Sequence, residues 1–202
     1  MKKTFLASLL IALSSTSVMA EARPYIGISF NSFSINTTEI TVTDGFGFSN
    51  TSTGDARDSG TAAGISGGIM LDDNGKINIA YFSGDEDDSE FLTTTVTSIS
   101  YDYSFNNSGY RRGWFLGGGF SSVEIEAERT SFSTAGVAKA SGALFRGGYE
   151  YLLDNSLFVE IGFNAHFAEV DLKFDGSGFA SGLELESKMD VSNLYISLSY
   201  VF

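Results

Sequence analysis

The nine C-terminal residues, Leu194 to Phe202, constrain the fold more than any other stretch of the chain. Counting back by twos from the end gives Phe202, Tyr200, Leu198, Ile196 and Leu194, an unbroken apolar row. Between them lie Val201, Ser199, Ser197 and Tyr195, which are mostly small or polar. Successive side chains of a strand point to opposite faces, so this segment reads as a strand with one greasy face. A soluble sheet would turn that face to a core; a membrane-spanning sheet would turn it to lipid.

Seven further segments alternate in the same way. Near 23–35, Ile26, Ile28 and Phe30 share a face; near 60–71, Ala63, Ile65, Gly67, Ile69 and Leu71 do. Segment 76–84 opens on alternating Ile77, Ile79 and Tyr81, and 91–105 closes on Ile99, Tyr101, Tyr103 and Phe105. Segment 139–152 sets Phe145, Tyr149 and Tyr151 opposite Arg146 and Glu150. Segment 157–170 sets Leu157, Val159, Ile161, Phe163, Ala165 and Phe167 opposite Glu160, Asn164 and His166. Segment 113–126 is apolar on both faces at Trp114-Phe115-Leu116, and its Val123 and Ile125 favour odd numbers facing outward. The eighth segment is 188–202. The 18 Phe and 9 Tyr suit strands, and the 23 Gly mark bends or close approaches.

Short links at 72–75, 106–112 and 153–156 alternate with mostly longer ones at 36–59, 85–90, 127–138 and 171–187. The longer links are rich in Thr, Ser, Gly, Asp and Glu. Tight turns on one rim and long loops on the other are what a membrane barrel requires. The aromatics Tyr103, Phe105, Tyr110, Trp114, Phe115, Tyr149, Tyr151, Phe158, Tyr200 and Phe202 crowd the short-turn ends, as an interfacial girdle would. The expected fold is all-β: an eight-stranded antiparallel up-and-down transmembrane β-barrel over residues 21–202.

Residues 1–20 read as a cleaved signal peptide. Lys2 and Lys3 give the positive start, Phe5 to Leu13 a short apolar run, and Val18-Met19-Ala20 the small residues that cleavage needs. Removing the two lysines leaves ten Lys and Arg, of twelve, against 25 Asp and Glu, a formal charge of −15. That balance excludes nucleic acid as a partner, because phosphate binding needs a basic footprint. The chain has no cysteine, which excludes disulfides, thiol-ligated metal and cysteine nucleophiles.

A terminal phenylalanine on an alternating strand, an export signal, no cysteine and eight amphipathic strands together resemble the eight-stranded bacterial outer-membrane barrels. These include the OmpA-type barrel domain, the OmpX-like proteins and the opacity-type porin family. The resemblance covers essentially the whole mature chain and implies residence in the outer membrane of a Gram-negative cell. It implies contact with outer-membrane lipids, including lipopolysaccharide, and a barrel-assembly signal at Leu198, Tyr200 and Phe202. Loops 36–59 and 171–187 would then face outward and carry any extracellular partner.

The residues opposite the apolar rows are candidates for chemistry. Asp102, Glu124, Arg146, Glu150, Glu160 and His166 are expected inside, with Lys188 and Asp190 near the outer end of the last strand. An eight-stranded lumen holds only side chains, so charges there must pair. Arg146 is expected to pair with Glu150, Glu160 or Asp102 as a plug, in a protein without catalysis or cofactor. Three alternatives remain at this level: a narrow channel for small or apolar solutes, a lipid A-modifying barrel enzyme using His166, and a soluble lipocalin-like carrier. The run Asp85-Glu86-Asp87-Asp88 is either a solvated acidic loop or a weak site for divalent ions.

Overall fold

The computed structural model describes residues 22–202 apart from 45, 72–73, 87–91, 107–111, 128–135, 155 and 176–183. It leaves undescribed the side chains of 38, 54–56, 106, 112, 127, 171–175 and 184–188. The expected signal peptide, 1–20, lies outside the described residues, as do Tyr110, Asp87 and Asp88. The strands are β1 (Arg23–Thr43), β2 (Ser49–Met70), β3 (Gly75–Glu86), β4 (Leu92–Asn106), β5 (Arg112–Ala127), β6 (Gly136–Leu152), β7 (Leu157–Asp175) and β8 (Glu184–Val201). Each pairs antiparallel with the next, and β8 pairs antiparallel with β1. The sheet closes into an eight-stranded barrel, which leaves no edge unpaired.

At the short-turn rim the expected strand ends lie within one residue of the observed ones. The opposite rim differs. Residues 36–59, expected as a loop, are mostly strand, because β1 runs to Thr43 and β2 begins at Ser49; much of 171–187 is strand as well. The extensions of β1 and β2 are rich in Thr and Ser, with only Ile40 and Val42 as an apolar pair, so periodicity does not reveal them. Their backbone ladder and cross-strand hydroxyl pairs hold them: Thr41 Oγ1 lies 3.0 Å from Thr51 Oγ1, and Thr43 Oγ1 lies 3.0 Å from Ser49 Oγ. The register shifts between Thr37 and Glu39 on β1 and between His166 and Val170 on β7, at about the level where the extensions begin.

The molecule is apolar outside. Ile26, Ile28, Phe30, Ile65, Ile99, Phe120, Ile161, Phe167, Leu194 and Ile196 are all exposed and ring the barrel. Above this belt the outward side chains become Ser32, Thr61, Ser83, Thr97, Ser122 and Ser141, then charged. Along the short-turn rim Tyr103 meets Phe105, Trp114 meets Tyr149 and Tyr200 meets Phe202, each edge to face with centroids 5.2–5.3 Å apart.

Two expected orientations are corrected. Val123 and Ile125 are both 0% exposed and face inward, so the even residues of β5 face out. The reason is register: Ile99 on the outer face of β4 stands opposite Phe120, and Tyr103 stands opposite Leu116. Phe115 and Phe158, expected in the girdle, are buried inside the barrel for the same kind of reason.

An exposed apolar belt makes a direct prediction. Ile28 sits between Ile65 and Leu198 in the middle of the outward rows. Ile28→Arg should lower unfolding stability in lipid by about 2–4 kcal/mol, the penalty for a cation near the bilayer midplane. Urea unfolding of the lipid-reconstituted barrel measures it. A water-facing position would change by less than about 0.5 kcal/mol.

Candidate functional site: a layered lumen

The inward side chains form layers along the barrel axis. At the short-turn end Tyr25, Met70, Phe158 and Val201 pack together as a floor. Alternation places Lys76, Glu150, Glu160, Arg146 and Asp102 directly above it, each one or two inward positions along its strand.

These charges form one connected cluster. Lys76 Nζ lies 2.5 Å from Glu150 Oε2 and also contacts Glu160 Oε2. Arg146 Nη2 reaches Glu160 Oε1 at 2.5 Å, and its Nη1 lies 3.3 Å from Asp102 Oδ2. The Tyr195 hydroxyl donates to Glu160 and accepts from Arg146. Ser100 Oγ donates to Asp102 Oδ1 at 3.0 Å. Aromatic faces complete the enclosure: Lys76 Nζ is 4.9 Å from the Phe115 centroid and 5.3 Å from that of Phe158. The Arg146 guanidinium is 5.4 Å from the Phe115 centroid and 5.3 Å from that of Tyr195.

Glycine makes this density of side chains fit. A Cβ at Gly117 would run into the Asp102 carboxylate and the Arg146 stem. Gly117 stands opposite both residues in register, one on each neighbouring strand. Within the Gly117-Gly118-Gly119 run, Gly117 is therefore the residue that makes room for the ion cluster, while Gly119 lies against the backbone of β4 at Ile99 and Ser100.

Above the charges lies an uncharged polar layer. Asn193 Nδ2 donates to Asn31 Oδ1 at 3.0 Å, and Asn164 Nδ2 donates to Asn193 Oδ1 at 3.2 Å. His166 Nε2 lies 3.0 Å from the same Asn193 oxygen. A cavity of about 30 Å³ runs beside the charges, from Tyr25 and Phe158 of the floor past Arg146 and Glu160 to Asn31 and Phe82. It has room for a water or two. Higher still the lumen turns apolar: Phe33, Ile35, Phe82, Val96, Ile125, Val170, Met189 and Val191 pack as one cluster. The charge cluster thus occupies the short-turn half, and among the described residues the buried charge above it is Glu86 at the outer end of β3.

Asp102, Arg146, Glu150 and Glu160 lie together in the charge cluster, and His166 lies inside one layer up, edge-on to Phe82. Glu124 does not belong with them: it stands on the outer face, 3.0 Å from Lys139 Nζ, because the phase of β5 is the reverse of the expected one. Asp190 is exposed, on the same even phase of β8 as Leu194 and Phe202, and the Lys188 side chain is outside the described residues. The acidic run is divided by alternation. Asp85 faces out and accepts from Thr93 at 2.7 Å, while Glu86 is buried inside. Among the described residues no three His, Cys, Asp or Glu side chains gather to hold a metal.

Lys76 and Tyr195 were missed in the sequence. The signal was present for both, because Ile77, Ile79 and Tyr81 outward place Lys76 inward, and Leu194 and Ile196 outward place Tyr195 inward.

No family model matches the chain, and no curated protein does. Solved structures do. The outer membrane protein OprG from Pseudomonas aeruginosa superposes with a TM-score of 0.64 at 12% identity, over 89% of this chain and 96% of that one. The outer membrane protein AlkL, determined in lipid bilayers, superposes with a TM-score of 0.55 at 15% identity, over 94% of each chain. This is the fold of the small outer-membrane barrels. At such low identity the likeness concerns the path of the backbone, and every functional statement about this barrel has to rest on its own side chains.

Proposed function

We propose that this chain is an integral barrel of the Gram-negative outer membrane that acts at the cell surface, without catalysis, through the part of its wall above the lipid. The observation that carries the reading is the contrast between a closed lumen and an extended outer rim. The charge cluster spans the lumen from β3 to β7 and the cavity beside it is only water-sized, which supports a lumen closed to solutes. Meanwhile β1 continues 13 residues past Phe30, the last member of its outward apolar row. A transmembrane strand needs only about 9–11 residues, so this wall is far taller than anchoring demands.

The exposed belt supports contact with outer-membrane lipids, and Leu198, Tyr200 and Phe202 supply the terminal row that the barrel-assembly machinery would read. Above the belt Asp85, Glu124, Glu126, Glu169 and Asp190 outnumber Lys139 and Arg57, so lipopolysaccharide phosphates would be met through divalent cations. Catalysis by His166 finds no support in the geometry. Its ring pairs with an amide inside the lumen, away from lipid.

Replacing 36–59 with a short turn tests the reading. The shortened protein should still run in SDS as a heat-shifted folded band from the outer-membrane fraction. Cells carrying it should lose the adherence to surfaces that full-length protein confers. Undiminished adherence removes the outer rim from the function.

A second reading is favoured by one observation, the apolar lining of the outer half of the lumen. In that reading small apolar solutes enter from outside and rest against Phe33, Phe82 and Ile125, with the charge layer barring the way to the periplasm. It requires that benzene-sized probes raise the unfolding temperature of the barrel.

A further inference from the structure

The β1–β2 hairpin ends in a hydrogen-bonded turn that presents two phenylalanines to water. Asp44 Oδ1 accepts from the backbone N–H of Phe46 at 3.0 Å and of Phe48 at 2.9 Å. Asp44 N–H donates to Phe48 O at 3.0 Å, and Gly47 N–H donates to Asp44 O at 2.9 Å. Gly47 sits at φ 85°, the left-handed conformation such a turn needs and glycine tolerates. Phe46 is 90% exposed and Phe48 76%, the two highest values among large apolar side chains of the described residues. Most other large apolar side chains exposed to a comparable degree belong to the lipid belt, Val137 at the outer end of β6 being an exception. Here the tip stands 13 residues beyond Phe30, roughly 30 Å above the belt at ~3.3 Å per residue and a tilt of ~40°.

We propose that this tip inserts into the interface of a neutral, zwitterionic lipid bilayer apposed to the outer surface, the membrane of another cell or vesicle. The inference rests on the surface reading above and names its partner.

Three features select this occupant. The tip is convex and small. Two phenylalanines offer roughly 150–250 Å² each, far short of the ~1,200 Å² that a stable protein complex buries, whereas a fluid bilayer needs no complementary groove. Charge selects the lipid: there is no Lys or Arg between residues 24 and 56, while Glu39, Asp44 and Asp55 are acidic. An anionic surface would repel such a hairpin. Pre-ordering matters as well, because a turn already fixed by four hydrogen bonds loses little freedom when its two rings insert. Ile40 and Val42, half-exposed on the strand that leads to the turn, extend the apolar character downward.

The test uses the full barrel held in a lipid nanodisc, with Phe46→Trp in a Trp114→Phe background so that the tip carries the only indole. Adding phosphatidylcholine vesicles should shift the emission to the blue, and brominated phosphatidylcholine should quench it. Co-sedimentation with those vesicles should fall about tenfold for each phenylalanine replaced by serine, in Phe46→Ser and Phe48→Ser. Phosphatidylglycerol vesicles should bind more weakly than neutral ones. Emission unchanged by neutral vesicles, or sedimentation retained by the double serine variant, overturns the proposal. If emission is unchanged while the shortened hairpin still abolishes adherence, the bilayer is the wrong partner and the surface reading stands; if neither responds, both fall.

Discussion

Arg146→Ala is expected to lower the stability of the barrel by about 3–5 kcal/mol, because it breaks a buried ion cluster from its centre. Arg146 is the only residue that reaches Glu160, Tyr195, Ser100 and Asp102 at once. Asp102 is 0% exposed, and without the guanidinium it keeps the hydroxyl of Ser100 as a donor. Glu160 would keep Lys76, but Lys76 is shared with Glu150. Lysine at 146 is a poor substitute, since a single ammonium cannot span the four partners that a planar fork reaches. Urea titration of the micelle-bound barrel, followed by the heat-shifted band in SDS, measures the loss. Adding Asp102→Ala to Arg146→Ala should recover part of it, because the second change removes the stranded carboxylate. A loss below about 1 kcal/mol, with no recovery in the double variant, would show that water reaches Asp102 and that the layer is not a seal.

Most of the architecture was legible from two-residue periodicity, and the reason is environmental. Where one face of a strand meets lipid and the other meets the lumen, composition separates cleanly, as on β7 and β8. Periodicity misleads in two situations. On β5 the outer half of the lumen is itself apolar, so Val123 and Ile125 look like lipid-facing residues, and Glu124 is drawn inside on the wrong phase. Only the pairing of Phe120 with Ile99 reveals the true orientation. Above the membrane 36–59 is mostly Thr, Ser, Asn and Gly, with apolar alternation limited to short pairs, so periodicity does not show that β1 and β2 go on pairing there. The buried charges were legible as inward residues, but their partners were not. Lys76 meets Glu150 and Glu160 across 74 and 84 residues of sequence, a closeness that only barrel closure creates.

The apolar outer lumen carries the other large expected effect. Phe82 stacks on Phe33 with centroids 6.2 Å apart and meets the edge of His166 at 6.4 Å. Phe82→Ala should lower stability by about 3–5 kcal/mol, combining lost transfer energy with an unfilled void. The void would be bordered by Phe33 and by the edge of His166 and would join the small cavity that Phe82 already lines, leaving room for benzene against the Phe33 ring. Saturating benzene should therefore restore part of the loss, about 2.7 kcal/mol at a concentration ~100-fold above its Kd. The wild-type barrel discriminates between the two functional readings under the same conditions. If benzene also raises its unfolding temperature, the outer lumen opens to apolar solutes as the protein stands, and uptake joins the functions to be tested in cells. If benzene stabilises only the Phe82→Ala variant, the wild-type cluster is filled by its own side chains. The barrel is then a sealed post, and whatever it does is done by the wall and hairpin above the membrane.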